Sequence, residues 1–313
     1  MTPSWRSGSP ISVSIPGISE KVTTVQAWKT AARLHTLPAA VVPVVVGSAL
    51  AQSDGVFRWD AFLYALVASL AIQVAANFAN DVSDALRGAD TGERVGPPRM
   101  VALGRITAKQ MWVGVVAALL IAAVAGIALA IIAGPLIVVI GIVSVISMLA
   151  YVGGPFPYGY RGLGEVFVFL FFGVVATVGT RYVYDMTAPL PAWLLSIPIG
   201  LLAAAILVVN NYRDLGTDRS AGKRTLAVII GSDKTRTLFV ILVYGAFFLI
   251  AVFAVMRWTP FPTIFAALIV PYAMGPVRII YRKSDGPALI RALKMTARLH
   301  LWTGLVIAAG VLI

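Results

Sequence analysis

The class of this protein is evident in residues 61–84, which read AFLYALVASLAIQVAANFANDVSD. A helix of about 20 apolar residues crosses the hydrocarbon core of a bilayer, and this stretch contains such a run before it ends in amides and acids. Carboxylates at the end of a lipid-embedded helix are unfavourable unless a cation compensates them. The stretch therefore predicts a membrane helix whose polar end binds a cation.

The composition of the whole chain agrees with a membrane protein. Of its 313 residues, 59% are hydrophobic and 12% are charged, and this charged fraction is about half that of an average soluble domain. Nine apolar windows lie at residues 34–52, 60–80, 110–132, 135–152, 164–183, 192–210, 237–256, 261–280 and 295–313. The windows lack a sustained alternation of apolar and polar residues, which favours helices over a β-barrel. We therefore predict an all-α integral membrane protein with nine transmembrane helices in a bundle.

A second polar cluster, after the sixth window, is similar to the first. The first comprises Asn77, Asn80, Asp81, Asp84 and Asp90, and the second comprises Asn210, Asn211, Asp214 and Asp218. Asn211 follows Asn77 by 134 residues, which predicts two pseudo-repeated four-helix halves plus one further helix. Both clusters contain the spacing i, i+3, i+7, so these members share one face if each helix continues through its cluster.

The net charge of +12 is explained by the predicted topology. With a cytoplasmic N-terminus, nearly all Lys and Arg residues fall in inner loops, and Arg58, Arg181 and Arg257 are the exceptions. This positive-inside distribution predicts a multi-pass protein of the cell membrane, with both polar clusters at the cytoplasmic face. The basic residues form no platform interleaved with aromatic residues, which argues against nucleic-acid binding.

The N-terminal residues 1–25 are rich in Ser, Pro and Gly and lack the apolar segment of a cleaved signal peptide. We interpret them as a flexible cytoplasmic tail that precedes a single transmembrane domain at residues 26–313. The chain has no Cys, which excludes disulfides and thiolate metal sites.

The oxygen-rich clusters favour a hard cation. The two His residues lie outside both clusters, which argues against zinc or copper. Mg²⁺ typically takes one or two carboxylates and completes its shell with water and phosphate oxygens. Basic residues flank both clusters, and cations together with a metal can neutralise a diphosphate. One Asp or Asn at a helix end is ordinarily a cap, but nine such residues in two clusters favour a binding site.

The motifs around the clusters resemble a known family. Asn80-Asp81-Val82-Ser83-Asp84 and Asp214-Leu215-Gly216-Thr217-Asp218 resemble the two aspartate-rich motifs of the UbiA-type intramembrane prenyltransferases. The segments that resemble the branch prenylating 1,4-dihydroxy-2-naphthoate lie at residues 33–38, 95–99, 153–157, 162–165, 210–214 and 222–226. Gly88 stands where the family often has its last Asp of the first motif, and Asp90 is the substitute typical of the naphthoate branch.

The resemblance implies an activity. A polyprenyl diphosphate would bind through Mg²⁺ to both motifs, with its tail between the helices. The diphosphate would leave, and the naphthoate ring would attack the allylic carbocation with loss of CO₂, giving demethylmenaquinone. The catalytic and metal-binding residues implied are Asp81, Asp84, Asp214 and Asp218, with Asp90 as a further metal ligand. The substrate-binding residues implied are Asn77, Asn80, Asn211, Tyr151, Arg161, Lys223 and Arg224.

Two alternatives stay open at this stage. Within the same family, the acceptor could be 4-hydroxybenzoate or homogentisate. From a different class, acidic helix ends occur in divalent-cation transporters, but a transport path needs polar residues through the bilayer midplane. The apolar windows are bare of charge at their centres, which favours the enzyme. These patterns predict neither the prenyl chain length nor the oligomeric state.

Overall fold

The computed structural model describes residues 23–87, 96, 99–283 and 285–313, and within these ranges the chain is helical, with no strand. The helices, numbered in chain order, are α1 Thr24–Ala32, α2 Pro38–Ser53, α3 Trp59–Leu86, α4 Ala108–Ala133, α5 Leu136–Val152, α6 Gly164–Asp185, α7 Leu190–Arg213, α8 Leu215–Ser220, α9 Leu226–Val255, α10 Phe261–Arg282 and α11 Gly286–Leu312. Short 3₁₀ turns at Leu34–Thr36 and Tyr158–Arg161 precede α2 and α6. The prediction of an all-α protein is confirmed for these ranges.

Seven of the described helices are long and apolar enough to cross a membrane, namely α3, α4, α6, α7, α9, α10 and α11. The helical segments Thr24–Thr36 and Pro38–Ser53 meet at a bend of 51° and together form an eighth candidate span. Helix α5 is apolar but has only 17 residues. The chain is therefore a multi-pass membrane protein, and among the described residues seven or eight helical segments are long and apolar enough to cross, where the sequence predicted nine spans.

Several helices extend beyond the predicted apolar windows. Helix α3 continues to Leu86, so the first polar cluster up to Asp84 is helical. Helix α9 begins at Leu226, well before the window at residues 237–256, and it is kinked at Gly231, whose φ of 81° favours glycine. The tail predicted at residues 1–25 lies outside the described residues except for its last three, and Thr24 and Val25 already belong to α1.

Helix α7 is the central helix of the bundle. In α7, 72% of the apolar window is buried inside the protein, whereas the value for α4 and α10 is 28%. Large apolar side chains on these outer helices, including Ile131 and Leu268, are highly exposed, as expected where the surrounding solvent is lipid. The second polar cluster therefore extends from the end of a helix that is largely buried inside the bundle.

An ion-pair group stabilises the end of the bundle that lies opposite the polar clusters. The buried Arg181 of α6 donates through Nη2 to Oδ2 of Asp54 at 2.7 Å and through Nη1 to Oδ1 of Asp185 at 2.6 Å. These bonds join the end of α6 to the end of α2. Because Asp54 lies in the short connection between α2 and α3, the group lies at the opposite end of α3 from Asp84.

Glycines allow the inner helices to approach each other closely. A Cβ atom on Gly173 of α6 would lie 2.5 Å from the Cα atom of Gly200 on α7, and one on Gly47 of α2 would lie 2.6 Å from the carbonyl oxygen of Thr177. Small residues serve this purpose at helix contacts in membranes. Gly173 belongs to a π-helical turn of α6, Phe169–Val175.

We expect Gly173→Ala to destabilise the protein, because the new methyl group would meet the backbone of Gly200 rather than a movable side chain. Overpacking of this kind typically lowers the free energy of unfolding by about 1–3 kcal/mol. The matched control is Gly245→Ala in α9, where a Cβ atom meets no neighbour within 4 Å. Thermal unfolding in detergent, followed by tryptophan fluorescence, compares the variants. Equal midpoints for Gly173→Ala and the unmodified protein would contradict the close contact.

Candidate active site

A cavity of about 340 Å³ lies among α2 to α7, and the charged side chains that line it lie at one end. The charged and amide side chains that line it are Arg33, Gln73, Asn77, Asn80, Asp84, Arg99, Asn210, Asn211 and Lys223. Along α3 the lining extends from Asp84 to Ala65, which is about 28 Å of helix at 1.5 Å per residue. The cavity therefore connects both polar clusters with the apolar interior of the bundle.

Three side chains of the first cluster line the cavity, whereas a fourth binds a neighbouring loop. Asn77, Asn80 and Asp84 line the cavity, as their i, i+3, i+7 spacing on a continuous helix predicts. Asp81 instead accepts hydrogen bonds from the backbone N–H groups of Met100 and Val101 at 3.1 and 3.0 Å. Asp81 therefore fastens the segment that carries Arg99 against α3.

Asp84 is a carboxylate of the cavity lining that has several partners. It is buried, forms an ion pair with Arg99, and accepts a hydrogen bond from the Tyr160 hydroxyl at 2.7 Å. Burial, together with the nearby charge of Asp84, raises the pKa of Tyr160 above its ordinary value. The phenol therefore stays protonated and donates to the carboxylate.

The second cluster is not on one continuous helix, contrary to the i, i+3, i+7 prediction. Helix α7 ends at Arg213, Asp214 has non-helical backbone angles (φ −91°, ψ 8°), and Asp218 lies on the separate short helix α8. Both oxygens of Asp214 accept hydrogen bonds from Arg213, at 2.7 and 2.6 Å. The break changes the direction of the chain, and Asp218 then faces Lys223.

Lys223 joins the two clusters. Its Nζ atom lies 3.8 Å from Oδ2 of Asp84 and 3.8 Å from Oδ1 of Asp218, and it is 5.0 Å from the centre of the Tyr160 ring. Two carboxylates in a buried site repel each other unless a cation lies between them. The ammonium group marks the position between Asp84 and Asp218 as one that favours positive charge.

The donor set fits a metal that is shared with a ligand. Among the described residues, no three acidic or His side chains form a group that could hold a metal ion, which argues against an all-protein cage. Mg²⁺ usually binds to one or two carboxylates and takes its remaining ligands from water and phosphate. Asp84 and Asp218 would provide the two carboxylates to such a metal, and the amides that line the cavity would provide further oxygens. Asp90 lies outside the described residues.

Only some of the other predicted substrate-binding residues line the cavity. Tyr151, Lys223 and Asn211 line the cavity. Arg161 is exposed and stacks over the ring of Phe156 at 4.0 Å, and Arg224 is also exposed. The structure does not place either arginine in the cavity lining. A basic residue in a matching motif therefore need not point toward the site.

A buried carboxylate orients one of the cavity amides. Nδ2 of Asn211 donates to Oε1 of Glu165 at 2.9 Å, and both side chains are buried. In this contact a carboxyl oxygen of Glu165 accepts, so the amide nitrogen of Asn211 points toward Glu165. The amide oxygen of Asn211 is then available to the cavity.

Some site residues were missing from the sequence-based set. Arg99, Tyr160 and Glu165 contact Asp84 or Asn211 directly. Arg99 and Glu165 lie in segments that carried the family resemblance, so the motifs contained a signal for them. Tyr160 carried no such signal, because its role depends on the turn that brings residues 158–161 to the end of α3.

Comparison with known proteins agrees with this geometry. The model of the UbiA prenyltransferase family matches residues 40–303. The chain is 37% identical to the 1,4-dihydroxy-2-naphthoate octaprenyltransferase of Mycobacterium tuberculosis, over 80% of this chain and 86% of that protein. It is 32% identical to the enzyme of the same name from Escherichia coli, over 93% of this chain and 97% of that protein.

A solved structure has the same fold. The UbiA homolog from Archaeoglobus fulgidus bound to GPP and Mg²⁺ superposes with a TM-score of 0.63 at 15% identity, covering 90% of this chain and 99% of that one. At this identity the similarity concerns the fold, and the helical bundle of this chain is thus shared with a UbiA homolog.

We expect Glu165→Leu to impair both folding and the site, because it leaves the buried amide of Asn211 without its acceptor. An unsatisfied buried donor typically destabilises a protein by about 1–3 kcal/mol. Glu165→Gln keeps an acceptor oxygen and serves as the matched control. Thermal unfolding measures the difference, and equal midpoints for the Leu and Gln variants would show that the bond to Asn211 is unimportant.

Proposed function

The chain belongs to the UbiA prenyltransferase family, and we propose that it transfers a polyprenyl group from polyprenyl diphosphate to 1,4-dihydroxy-2-naphthoate. The products are CO₂, diphosphate and demethylmenaquinone, and the reaction depends on Mg²⁺. The observation that carries the proposal is the position of Lys223, 3.8 Å from a carboxylate of each cluster. This arrangement brings the two aspartate-rich motifs to one place at the polar end of an apolar cavity.

The choice of acceptor is supported by the names of the relatives. Proteins that share 32–37% of their residues with this chain over most of its length are called 1,4-dihydroxy-2-naphthoate octaprenyltransferases. The segments that resemble the naphthoate branch include residues near the cavity, such as Asn211 and Lys223. These similarities favour the naphthoate over 4-hydroxybenzoate or homogentisate.

We assign Asp84 and Asp218 to the metal and the diphosphate. When bound, Mg²⁺ would act as a Lewis acid on the diphosphate oxygens. Asp81 and Asp214, which were also predicted as metal ligands, have both carboxylate oxygens in hydrogen bonds to the Met100 segment and to Arg213. We therefore propose that these two acids position the neighbouring cations and loops.

Cationic side chains and the exclusion of water both assist departure of the diphosphate. Lys223 and Arg99 line the polar end of the cavity, where they can neutralise the charge that develops on the leaving group. Aromatic side chains follow on the apolar side, and Tyr158 stacks on Phe167 with ring centres 3.9 Å apart. The faces of aromatic rings attract cations, and an apolar wall excludes the water that would otherwise capture an allylic carbocation.

The orientation in the membrane completes the proposal. We propose nine crossings in the cell membrane, with α5 as the additional short span, and with the polar end of the cavity at the cytoplasmic face. The concentration of Lys and Arg in the loops on this side supports that orientation. Two four-helix halves and one final helix, residues 26–313, would form the single transmembrane domain.

The acceptor assay tests the function. Purified protein in lipid nanodiscs, with Mg²⁺ and a prenyl diphosphate, should prenylate 1,4-dihydroxy-2-naphthoate and release labelled CO₂ from its carboxylate. EDTA should abolish turnover and excess Mg²⁺ should restore it, because the carboxylates alone cannot stabilise the leaving diphosphate. Turnover of 4-hydroxybenzoate or homogentisate in place of the naphthoate would contradict the acceptor assignment. Metal flux into liposomes without prenyl substrate would favour a transporter.

Substitution of the two central carboxylates tests the site. Asp84→Asn and Asp218→Asn preserve side-chain shape but remove the charge, and loss of such a preorganised group typically lowers kcat by about 10²–10³-fold. The matched control is Asp233→Asn on the same side of the protein, where the side chain is 94% exposed. Single-turnover kinetics measures the effect, and near-normal rates in either the Asp84 or the Asp218 variant would remove the metal assignment.

A further inference from the structure

Apart from Gly231 at the kink of α9, the glycines inside the long helices fall into two groups according to their surroundings. A Cβ atom would collide with a neighbouring helix at Gly47, Gly114, Gly173, Gly200, Gly275, Gly304 and Gly310. At Gly126, Gly141, Gly179 and Gly245 a Cβ atom would meet nothing within 4 Å. Glycine destabilises a helix relative to alanine. The second group therefore has a conformational disadvantage without the close packing that explains the first.

Three glycines of the second group line the cavity. Gly126 lies on α4, Gly141 on α5 and Gly179 on α6, whereas Gly245 on α9 is not part of the lining. Since space is open at each Cβ position and each residue faces the cavity, a side chain there would occupy the lumen. A ligand at this place is inferred from the cavity itself and not from the small residues.

The three glycines lie at one depth. Leu129, Ile137 and Val183, on the same three helices, line the apolar end of the cavity and belong to one hydrophobic cluster. Each glycine is three or four residues closer to the polar end than the cluster member of its own helix, which is about one helical turn of 5.4 Å. Three different helices therefore lack a side chain at the same level.

We propose that Gly126, Gly141 and Gly179 set the width of the cavity near its apolar end and thereby determine how long a polyprenyl chain this protein accepts. The inference rests on the proposed function, in which the diphosphate occupies the polar end and the isoprenoid occupies the remainder. On α5, Tyr151 at the polar end is separated from Gly141 by about 15 Å of helix. A geranyl chain ends before that level, whereas an octaprenyl chain must pass between the three glycines.

Leucine substitutions test the proposal through binding of the donor. Gly126→Leu, Gly141→Leu and Gly179→Leu are each placed in nanodiscs with Mg²⁺, and the Kd values of geranyl diphosphate and octaprenyl diphosphate are measured without any acceptor. We expect the Kd of the octaprenyl donor to rise about tenfold, which corresponds to ~1.4 kcal/mol, while that of the geranyl donor changes by less than about twofold.

The matched control is Gly245→Leu, which makes the same substitution at an open helical position outside the cavity lining. Its two Kd values should equal those of the unmodified protein. Binding of geranyl diphosphate also reports that a variant is folded. If a Leu variant fails to bind geranyl diphosphate, the corresponding Ala variant is used. We then expect a smaller rise in the Kd of octaprenyl diphosphate and no change in the Kd of geranyl diphosphate.

Two results would overturn the proposal. One is an unchanged ratio of octaprenyl to geranyl Kd in the three cavity variants, and the other is an equal change of that ratio in Gly245→Leu. Neither result depends on the acceptor, because none is present. A wrong choice of acceptor would show in the turnover assay with unmodified protein and would leave the binding ratio intact.

Discussion

The arrangement of this protein depends on the compensation of carboxylates that are buried beside an apolar cavity. Asp84 is almost fully enclosed and is tolerated there because Arg99, Lys223 and the Tyr160 hydroxyl contact it. A buried carboxylate without a cation is strongly unfavourable, so the segments that carry these partners must approach the end of α3. The site and the end of the bundle are therefore stabilised by the same contacts.

The same partners are suited to the proposed chemistry. A diphosphate ester carries negative charge that increases as it leaves, and Lys223 already lies where Asp84 and Asp218 concentrate negative potential. A metal that binds together with a diphosphate would bring positive and negative charge at once. The net charge around the two carboxylates and the cationic side chains would therefore change little. Behind this polar end the apolar walls provide room for an isoprenoid and exclude water.

Glycine has two opposite uses in this bundle. At Gly173 and Gly200 the absence of a side chain allows α6 and α7 to touch through their backbones, which brings the central helix close to its neighbours. At Gly126, Gly141 and Gly179 the absence of a side chain leaves space, and that space is continuous with the cavity. Tight contact and open volume are thus produced by the same residue type, and only the neighbouring helix distinguishes them.

Residues 61–84 were sufficient to predict a membrane helix with a polar end, because hydropathy and the 3.6-residue period are local properties of the chain. The same helical period accounts for the placement of Asn77, Asn80 and Asp84 on the cavity. The motifs also predicted Lys223 and Asn211 as cavity residues. The break after Arg213, the hydrogen bonds of Asp81 to the Met100 segment, and the outward position of Arg161 were not predicted. These depend on which distant partners meet in space, and the partner of a buried charge is chosen by the packing of helices far apart in the chain rather than by its neighbours in sequence.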